Sequence, residues 1–277
     1  TERIKAKDKI EQLASKLSRY LSPQVYQSIF SGKKNVKIEA YRKKLTVFFS
    51  DIKGFTEITD RLEPEVLSTL NSYLNEMSKI ALKYGGTIDK FVGDAILIFF
   101  GDPETKGDKE DAYSCVLMAL EMQERMHHLK NLWEGQGITN PLEIRIGINT
   151  GYCNVGNFGS ENRLDYTIIG GEVNLASRLE SNAMTGQILI SQETYALIKK
   201  HIVCEKKDEI KVKGIAHKIQ TYQVVGSYKN IAQKRKILNE EFDGFNLNID
   251  LNISKKNKVI TSLENTLKQL KKDEKSN

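Results

Sequence analysis

Cysteine is scarce in this chain, with only three residues in 277. Cys115, Cys153 and Cys204 lie far apart, their number is odd, and no two of them form a Cys-x-x-Cys pair. Neither a disulfide framework nor a zinc site is therefore expected. Proline is almost as scarce, with four residues, while 39% of the residues are hydrophobic. This balance predicts a folded globular protein that is stabilised by its own core.

Long hydrophobic runs are also missing. No apolar stretch approaches the roughly 20 residues that a membrane-spanning helix needs, and the opening residues TERIK do not have the form of a signal peptide. We therefore expect no membrane span and a cytoplasmic location. The sequence starts without Met and within a helical pattern, so an upstream sensor domain is expected to precede this stretch of chain.

Charge of neither sign dominates, since 42 Lys and Arg residues stand against 36 Asp and Glu residues and leave a net charge of +6. A basic balance of this kind suits a polyphosphate substrate or a nucleic acid. Single-strand binders interleave their basic clusters with stacking aromatic residues, and this sequence does not. Nucleic acid is therefore not an expected partner.

Apolar residues near the N-terminus recur at alternating spacings of four and three, namely Ala6, Ile10, Leu13, Leu17 and Tyr20. This is the a/d pattern of a heptad seam. Two heptads leave both a dimeric coiled coil and an ordinary amphipathic helix open. Ser22-Pro23 then predicts the start of a second short helix, because Pro favours the first helical position. We assign residues 1–40 to an N-terminal helical or coiled-coil linker.

Strand and helix patterns alternate through the middle of the chain. Residues 45–49 are β-branched and aromatic and predict a strand, helices are expected near 64–84, 109–133 and 172–183, and Gly93-Asp94 predicts a hairpin turn. Two further strands are expected near 144–150 and 152–157. This order predicts an α/β (α+β) sandwich with a ferredoxin-like mixed sheet, and the helices are expected to cover one face of it. The domain is placed at residues 41–226.

The last fifty residues change character. Apolar residues first alternate strictly with polar ones (Phe245, Leu247, Ile249, Leu251 and Ile253) and then follow at helical spacing (Val259, Ile260, Leu263, Leu267 and Leu270). These patterns predict one strand followed by one helix. Residues 227–277 are therefore assigned to a C-terminal strand-helix extension.

Two aspartates stand at the ends of strongly apolar strands. Asp51 follows Phe49-Ser50, and Asp94 lies in Phe91-Val92-Gly93-Asp94. Each residue taken alone could satisfy a turn or cap the following helix. Taken together across neighbouring strands, the two carboxylates could hold a hard divalent cation such as Mg²⁺, which binds one or two carboxylates and substrate phosphates.

A second polar cluster lies on the helix predicted at 172–183. Asn174 and Arg178 are four residues apart and so share one face of it, while Val173, Ala176 and Leu179 can face the core. The alternative is an exposed helix face with a solvated Arg. Four further residues, Arg145, Arg163, His127 and His128, belong to no motif and are expected on the surface or in the core.

From about Leu45 to Val225 the chain resembles the catalytic domain of the class III nucleotidyl cyclases. The resemblance rests on FSDIKGFT around Asp51, DKFVGDAI around Asp94, and LDYTIIG followed by VNLASRL around Asn174 and Arg178. It implies the class III cyclase fold and an adenylate cyclase that converts ATP into 3′,5′-cyclic AMP and pyrophosphate. Such domains often act in bacterial signalling.

The resemblance also implies the parts of the site. Asp51, Asp94 and the Ile52 carbonyl would hold two Mg²⁺ or Mn²⁺ ions, and the backbone N–H groups of Gly54, Phe55 and Thr56 would approach the triphosphate. Asn174 would position the ribose, and Arg178 would steady the phosphate in the transition state. Lys213, in a loosely matching stretch, would bind the terminal phosphates.

Lys90 and Thr167 occupy the positions that read the purine in this family. Adenine offers an acceptor at N1 and a donor amine at C6, and guanine offers the reverse. Lys only donates hydrogen bonds and Thr can accept them, so the pair matches adenine. A guanylate-specific relative would carry an acidic residue in place of Lys90. Thr at the second position marks the subgroup that includes bicarbonate-responsive cyclases.

In the family, the metal aspartates of one protomer face the purine, Asn and Arg groups of the other. This chain carries both sets, so the resemblance implies a homodimer with two equivalent shared sites. Two alternatives stay open: a guanylate cyclase, and a catalytically silent domain that binds nucleotide or dimerises an upstream sensor. A diguanylate cyclase is not expected, because its Gly-Gly-Asp/Glu-Glu-Phe signature is missing.

Overall fold

The computed structural model describes residues 7–228, except 8, 11, 15, 17, 33–36, 56–63, 136–141 and 213–217, and residues 237–273, except 243–244 and 251–255. Two compact units divide the chain, Thr1–Val225 and Gly226–Asn277. The three-part division into 1–40, 41–226 and 227–277 stays a prediction.

The described residues of the first unit form seven strands, β1 (Glu39–Ile52), β2 (Thr87–Val92), β3 (Ala95–Phe100), β4 (Ile144–Ser160), β5 (Arg163–Ile169), β6 (Ile188–Ser191) and β7 (Ile202–Lys206). An eighth strand, β8 (Thr221–Ser227), crosses the boundary between the units. The α-helices of the first unit are α1 (Pro23–Phe30), α2 (Pro64–Tyr84), α3 (Asp108–Gly135), α4 (Gly171–Asn182) and α5 (Gln192–Ile198). The three long helices and the β2–β3 hairpin confirm the sequence prediction.

These strands form one mixed sheet in the order β2-β3-β1-β4-β6-β8-β7, with β5 paired to β4. Strand β1 runs antiparallel to β3 on one side and to β4 on the other, while β4 and β6 are parallel. The predicted mixed α/β sheet is confirmed. Strand β1 is therefore an interior strand, and its last two residues are Asp51 and Ile52.

The sheet buries both of its faces. On β1, Phe48 and Ile52 belong to the large core under α2, α3 and α5, whereas Leu45 and Val47 belong to a second core that includes Val173 of α4. Alternate residues of a strand point to opposite faces, so α4 lies on the face opposite the other long helices. The expectation that helices cover one face was wrong. The nearly continuous apolar run of β1 is typical of a strand buried on both sides.

Helix α4 approaches β4 very closely, and glycine makes this possible. A Cβ atom on Gly147 would lie 2.1 Å from the Glu180 nitrogen and 2.3 Å from the Ala176 oxygen, and one on Gly151 would lie 2.5 Å from the Glu172 side chain. Strand β4 runs unbroken through Gly151, which pairs with Leu45 of β1. The two separate strands expected at 144–150 and 152–157 are thus one strand. Glycine here provides room for a helix and does not mark a turn.

The N-terminal seam is partly described. Ile10 and Leu13 are helical and exposed, while Ala6 and Leu17 lie outside the described residues. The predicted short helix at Ser22-Pro23 is confirmed as α1, with the Ser22 side chain accepting a hydrogen bond from the Val25 nitrogen at its N-terminus.

The second unit contains an antiparallel hairpin of β9 (Ile237–Phe242) and β10 (Phe245–Asp250), followed by α6 (Lys256–Asp273). The predicted strand and helix are present, and β9 is an additional strand that the sequence reading missed. Its residues, ILNEEF, lack strict alternation and so do not predict a strand by themselves. Pairing with β10 stabilises the extended conformation of β9. Among the described residues, no helix is both long and apolar enough to cross a membrane.

Candidate active site

The two predicted metal-binding aspartates come together at one end of the sheet. Asp51 lies near the end of β1, and Asp94 lies in the turn between β2 and β3, the strand that pairs with β1. The Asp94 carboxylate accepts a hydrogen bond of 3.0 Å from the Ile52 nitrogen. Burial, and then the neighbouring charge of Asp51, raise the pKa of Asp94 to about 6. The two carboxylates therefore lie close enough for their negative charges to repel each other.

Arg145 partly neutralises this pair. It is the β4 residue directly opposite Asp51, and its Nη2 atom lies 3.1 Å from Asp51 Oδ2 and 3.0 Å from Glu180 Oε1. No sequence motif includes Arg145, which was expected on the surface or in the core, and the structure places it in an ion pair with Asp51. The missing signal was the strand register, which sets Arg145 against Asp51 although 94 positions separate them. Arg163, His127 and His128 are exposed, as expected.

The donor set fits a magnesium or manganese ion that shares its coordination with a substrate. Within the described residues no three His, Cys, Asp or Glu side chains gather around one point. Asp51 and Asp94 nevertheless converge, and Mg²⁺ is held by one or two carboxylates together with substrate phosphates and water. The raised pKa of Asp94 is consistent with such a site, because a bound cation would offset both its burial, the larger cause, and the repulsion from Asp51.

The loop after β1 turns sharply at the site. Gly54 has a φ of +72°, and Phe55 begins a helical turn and packs against the large core. Two backbone N–H groups ahead of it are already bound within the chain, since Ile52 donates to Asp94 and Lys53 donates to the Glu143 carbonyl at 2.9 Å. Thr56 lies outside the described residues.

Tyr73 of α2 lies fully buried beneath the aspartates. Its hydroxyl is 3.5 Å from Ser50 Oγ, and burial raises the pKa of Tyr73, with the charges of Asp94 and Asp51 acting in the same direction. A phenol with a raised pKa stays protonated, so Tyr73 supports the site by packing and does not accept a proton.

The two predicted purine-reading residues are joined by a third residue, Asp89. The Thr167 hydroxyl donates to Asp89 Oδ2 at 2.6 Å, and the Lys90 ammonium lies 3.4 Å from Asp89 Oδ1. Asp89 and Lys90 belong to β2, whereas Thr167 belongs to β5. Sequence analysis named Lys90 and Thr167 but missed Asp89, because only the fold brings β2 beside β5.

Asn174 and Arg178 share the exposed face of α4, as the spacing predicts. Together with Ser177 and Val212 they line an open cavity of about 300 Å³. Lys213, the predicted phosphate-binding residue, follows Val212 but lies outside the described residues. An amide, a hydroxyl and a guanidinium therefore line this cavity together with one apolar side chain.

The helix presents different residues to the two sides. Glu180 points inward to Arg145 and is buried, while Arg178, two residues earlier, is exposed. Residues two apart on a helix do not share a face. Arg178 therefore points away from the carboxylate pair of its own chain.

Comparison with known proteins agrees with this arrangement. The model of the adenylate and guanylate cyclase catalytic domain matches residues 36–226. The terminal-differentiation specific adenylate cyclase of Dictyostelium discoideum is 35% identical over 225 residues, covering 78% of this chain and 10% of that protein. Adenylate cyclase 1 of Rhizobium meliloti (strain 1021) is 33% identical over 190 residues, covering 68% of this chain and 28% of that protein. The chain thus spans only a minor part of these curated relatives.

Solved structures give the same result. The adenylyl cyclase CyaB from P. aeruginosa superposes with a TM-score of 0.67 at 63% identity, covering 69% of this chain and 98% of that chain. The guanylyl cyclase Cya2 superposes with a TM-score of 0.65 at 37% identity, covering 69% and 95%. The fold, the matched residues and these identities agree, and the chain belongs to the family of adenylate and guanylate cyclase catalytic domains.

Proposed function

We propose that this chain is the catalytic domain of an adenylate cyclase, which converts ATP into 3′,5′-cyclic AMP and pyrophosphate. The observation that carries the proposal is the convergence of Asp51 and Asp94 at the end of β1. Such a pair suits the divalent cations that accompany nucleoside triphosphates. The similarity to CyaB, an adenylyl cyclase by name, supports the same conclusion.

Asp51, Asp94 and the Ile52 carbonyl would hold two Mg²⁺ or Mn²⁺ ions. Ions bound there would lower the pKa of the ribose 3′-hydroxyl and neutralise charge on the phosphates. Arg145 holds Asp51 in place through its ion pair, and its guanidinium adds positive charge beside the carboxylate pair. Gly54 and Phe55 complete the turn beside the pair.

Asn174 and Arg178 would serve the other end of the substrate. Asn174 can hydrogen-bond the ribose and fix the direction of the 3′-hydroxyl, so that attack on the α-phosphorus is in line with the leaving pyrophosphate. Arg178 can donate to the phosphoryl oxygens as they gain negative charge. Lys213 is proposed for the terminal phosphates by resemblance alone.

Adenine is the proposed base, because Lys90 donates and Thr167 can accept. The guanylate cyclase alternative has one observation in its favour, the 37% identity to the guanylyl cyclase Cya2. Against it stands the ammonium of Lys90, a donor where guanine would present its own N1–H. A purine assay decides between the two.

The active site is proposed to form across a homodimer. Arg178 points away from the carboxylates of its own chain and toward an open cavity. Exposed apolar side chains also lie next to the purine-reading residues: Phe91 is 45% exposed, Val92 is 58% exposed and Ile169 is 48% exposed. Apolar patches of this kind mark protein contacts. A second copy would cover them and bring its Asp51 and Asp94 toward Arg178.

The wider setting is also a proposal. A cytoplasmic signalling enzyme, bacterial in origin and controlled by a sensor domain upstream, would fit a catalytic domain that matches only part of its relatives.

The test is to incubate the purified chain with Mg²⁺ or Mn²⁺ and either ATP or GTP, and to resolve the products by chromatography. Cyclic AMP that disappears in Asp94→Ala is the expected result. Cyclic GMP as the main product would replace the proposal with the guanylate alternative. No cyclic product with either metal would favour a catalytically silent domain.

A further inference from the structure

Asp89 holds a position that the purine-reading residues alone do not explain. Its side chain is fully buried, and two donors meet one of its oxygens, since the Thr167 hydroxyl lies at 2.6 Å and the Ile168 nitrogen at 3.2 Å from Oδ2. The other oxygen has the Lys90 ammonium at 3.4 Å as an ion-pair partner. Among the described residues, all three groups that face this carboxylate are donors.

An irregularity in β2 makes this geometry possible. The pairing of β2 with β3 shifts between Ile88 and Lys90, so Asp89 has no partner in the register. Consecutive residues of a regular strand point to opposite faces, whereas a bulge redirects one of them. At this irregularity Asp89 and Lys90 can approach each other's charged groups, and Asp89 can reach across to β5.

We propose that Asp89 is a positioning residue that fixes the hydrogen-bond polarity of Thr167 and thereby sets the preference for a purine with a 6-amino group. This inference rests on the proposed function, in which Thr167 faces the C6 substituent. An ionised carboxylate only accepts hydrogen bonds, and a hydroxyl has a single hydrogen. Once that hydrogen is given to Asp89, Thr167 meets a ligand only through its lone pairs.

The consequence for the base is direct. The lone pairs of Thr167 accept from the 6-amino group of adenine and face the 6-oxo group of guanine without a hydrogen between them. A hydroxyl without Asp89 would be free to rotate and donate to the oxo group. Discrimination therefore belongs to the Asp89–Thr167 pair, and Thr167 alone would tolerate both bases.

Ionisation of Asp89 is supported by its surroundings. Burial is the largest influence and raises the pKa of Asp89 above its ordinary value, although the hydrogen bonds from Thr167 and Ile168 and the charge of Lys90 offset part of this rise. The geometry favours the ionised form, because the Ile168 nitrogen and the Lys90 ammonium can only donate to this carboxylate.

The first test uses the unaltered protein and two ATP analogues of similar size, N6-methyl-ATP, which keeps a donor at C6, and 6-methoxypurine ribonucleoside triphosphate, which has only an acceptor there. Affinities are measured by competition with ATP, so an analogue that does not react still gives a value. We expect the donor analogue to bind roughly tenfold more tightly. Its N–H group can donate to Thr167, whereas the methoxy oxygen would face the lone pairs of Thr167 without a hydrogen bond. Equal affinities, or tighter binding of the methoxy analogue, would overturn the inference.

The second test separates positioning from simple stability. The ratio of kcat/KM for ATP to that for GTP is measured for Asp89→Ala, Thr167→Val and the double variant, with melting temperatures recorded for each. Alanine removes the acceptor, so we expect Asp89→Ala to reduce the ratio roughly tenfold, and to have no further effect on the ratio when Thr167 is already Val. A melting temperature that falls while the ratio stays constant would assign Asp89 a purely structural role and overturn the inference.

The two proposals fail in different ways. An unaltered protein that prefers GTP would overturn the adenylate assignment and this inference together. An unaltered protein that prefers ATP, with a ratio that Asp89→Ala leaves unchanged, would overturn the role of Asp89 alone.

Discussion

The two halves of the candidate site differ in how complete each is within one chain. The carboxylate half, with Asp51 and Asp94, is held by strand pairing, by the Ile52 nitrogen and by Arg145. The helical half, with Asn174 and Arg178, is exposed on α4 beside an open cavity. The carboxylate half is held by contacts within the chain, whereas the exposed Arg178 would gain its proposed role only across the proposed homodimer. Within one chain the carboxylate half is thus held in place, and the helical half is exposed.

The largest effect is expected from a substitution in the carboxylate half. Asp94→Asn keeps the shape of the side chain and removes its charge, so the ability to hold a divalent cation is lost. We expect kcat to fall by at least about 10³-fold, because charge stabilisation by bound metal contributes several kcal/mol. The measurement is cyclic AMP formation at saturating ATP across Mg²⁺ concentrations.

Asp165→Asn is the matched control, since Asp165 is an exposed aspartate on β5. It is expected to keep near-normal turnover. If Asp94→Asn also kept activity within tenfold of the unaltered protein, the assignment of the metal-binding pair would be wrong.

The next largest effect is expected from a substitution in the helical half. Arg178→Ala should lower kcat by roughly 10²- to 10³-fold with little change in KM, because an oxyanion donor acts mainly on the transition state. Arg163→Ala, at an exposed Arg on β5, serves as control. A KM that rises while kcat stays constant would instead assign Arg178 to ground-state binding.

Mixing sharpens the comparison between the halves. Asp51→Ala and Arg178→Ala proteins are each expected to be inactive alone. Random exchange would make half of the dimers mixed, each with one intact site, so the mixture should recover about a quarter of the normal activity. Mixed dimers that form, as shown by differently tagged chains, and yet remain inactive would refute the shared site.

A smaller effect is expected from removing Arg145, whose ion pairs hold the carboxylate half in place. Arg145→Met leaves Glu180 and Asp51 without their common cation, and the side chain is only 18% exposed. We expect the free energy of unfolding to fall by about 3 kcal/mol, because breaking a largely buried ion pair strands a charge. Added Mg²⁺ should raise the melting temperature more in this variant than in the unaltered protein.

Arg125→Met is the corresponding control, since its ion pair with Glu76 lies nearer the surface, with Arg125 38% exposed. It should change stability by less than about 1 kcal/mol. Equal losses in the two variants would mean that Arg145 is an ordinary surface residue.

The smallest effect moves one half relative to the other. Gly147→Ala places a methyl group 2.1 Å from the backbone of α4, so the helix must shift. We expect a loss of about 1–3 kcal/mol in the free energy of unfolding, together with reduced kcat as Arg178 is displaced. Gly135→Ala, which meets nothing within 4 Å, should change stability by less than about 1 kcal/mol. Similar melting temperatures for the two variants would contradict the close approach of α4.

Local patterns predicted much of this architecture, and long-range pairing accounts for the rest. The apolar runs gave β1, the hairpin and the long helices, because strand and helix periods are visible within ten residues. Strand β4 was divided at Gly151 because glycine usually marks a turn, and only the packing of Glu172 explains it. Arg145 and Asp89 were missed for the same reason, since each meets its partner through strand neighbours that no local pattern encodes.

Strand β1 is paired on both sides, and residues 45–48 within it are buried. Its amide hydrogens can exchange with solvent only when the middle of the sheet opens, which is among the rarest excursions of a folded domain. We therefore expect the amide hydrogens of residues 45–48 to be among the slowest of the described residues to exchange with solvent. Asp51 stands at the end of this protected strand, and the hydrogen bond from the Ile52 nitrogen ties Asp94 to the same strand.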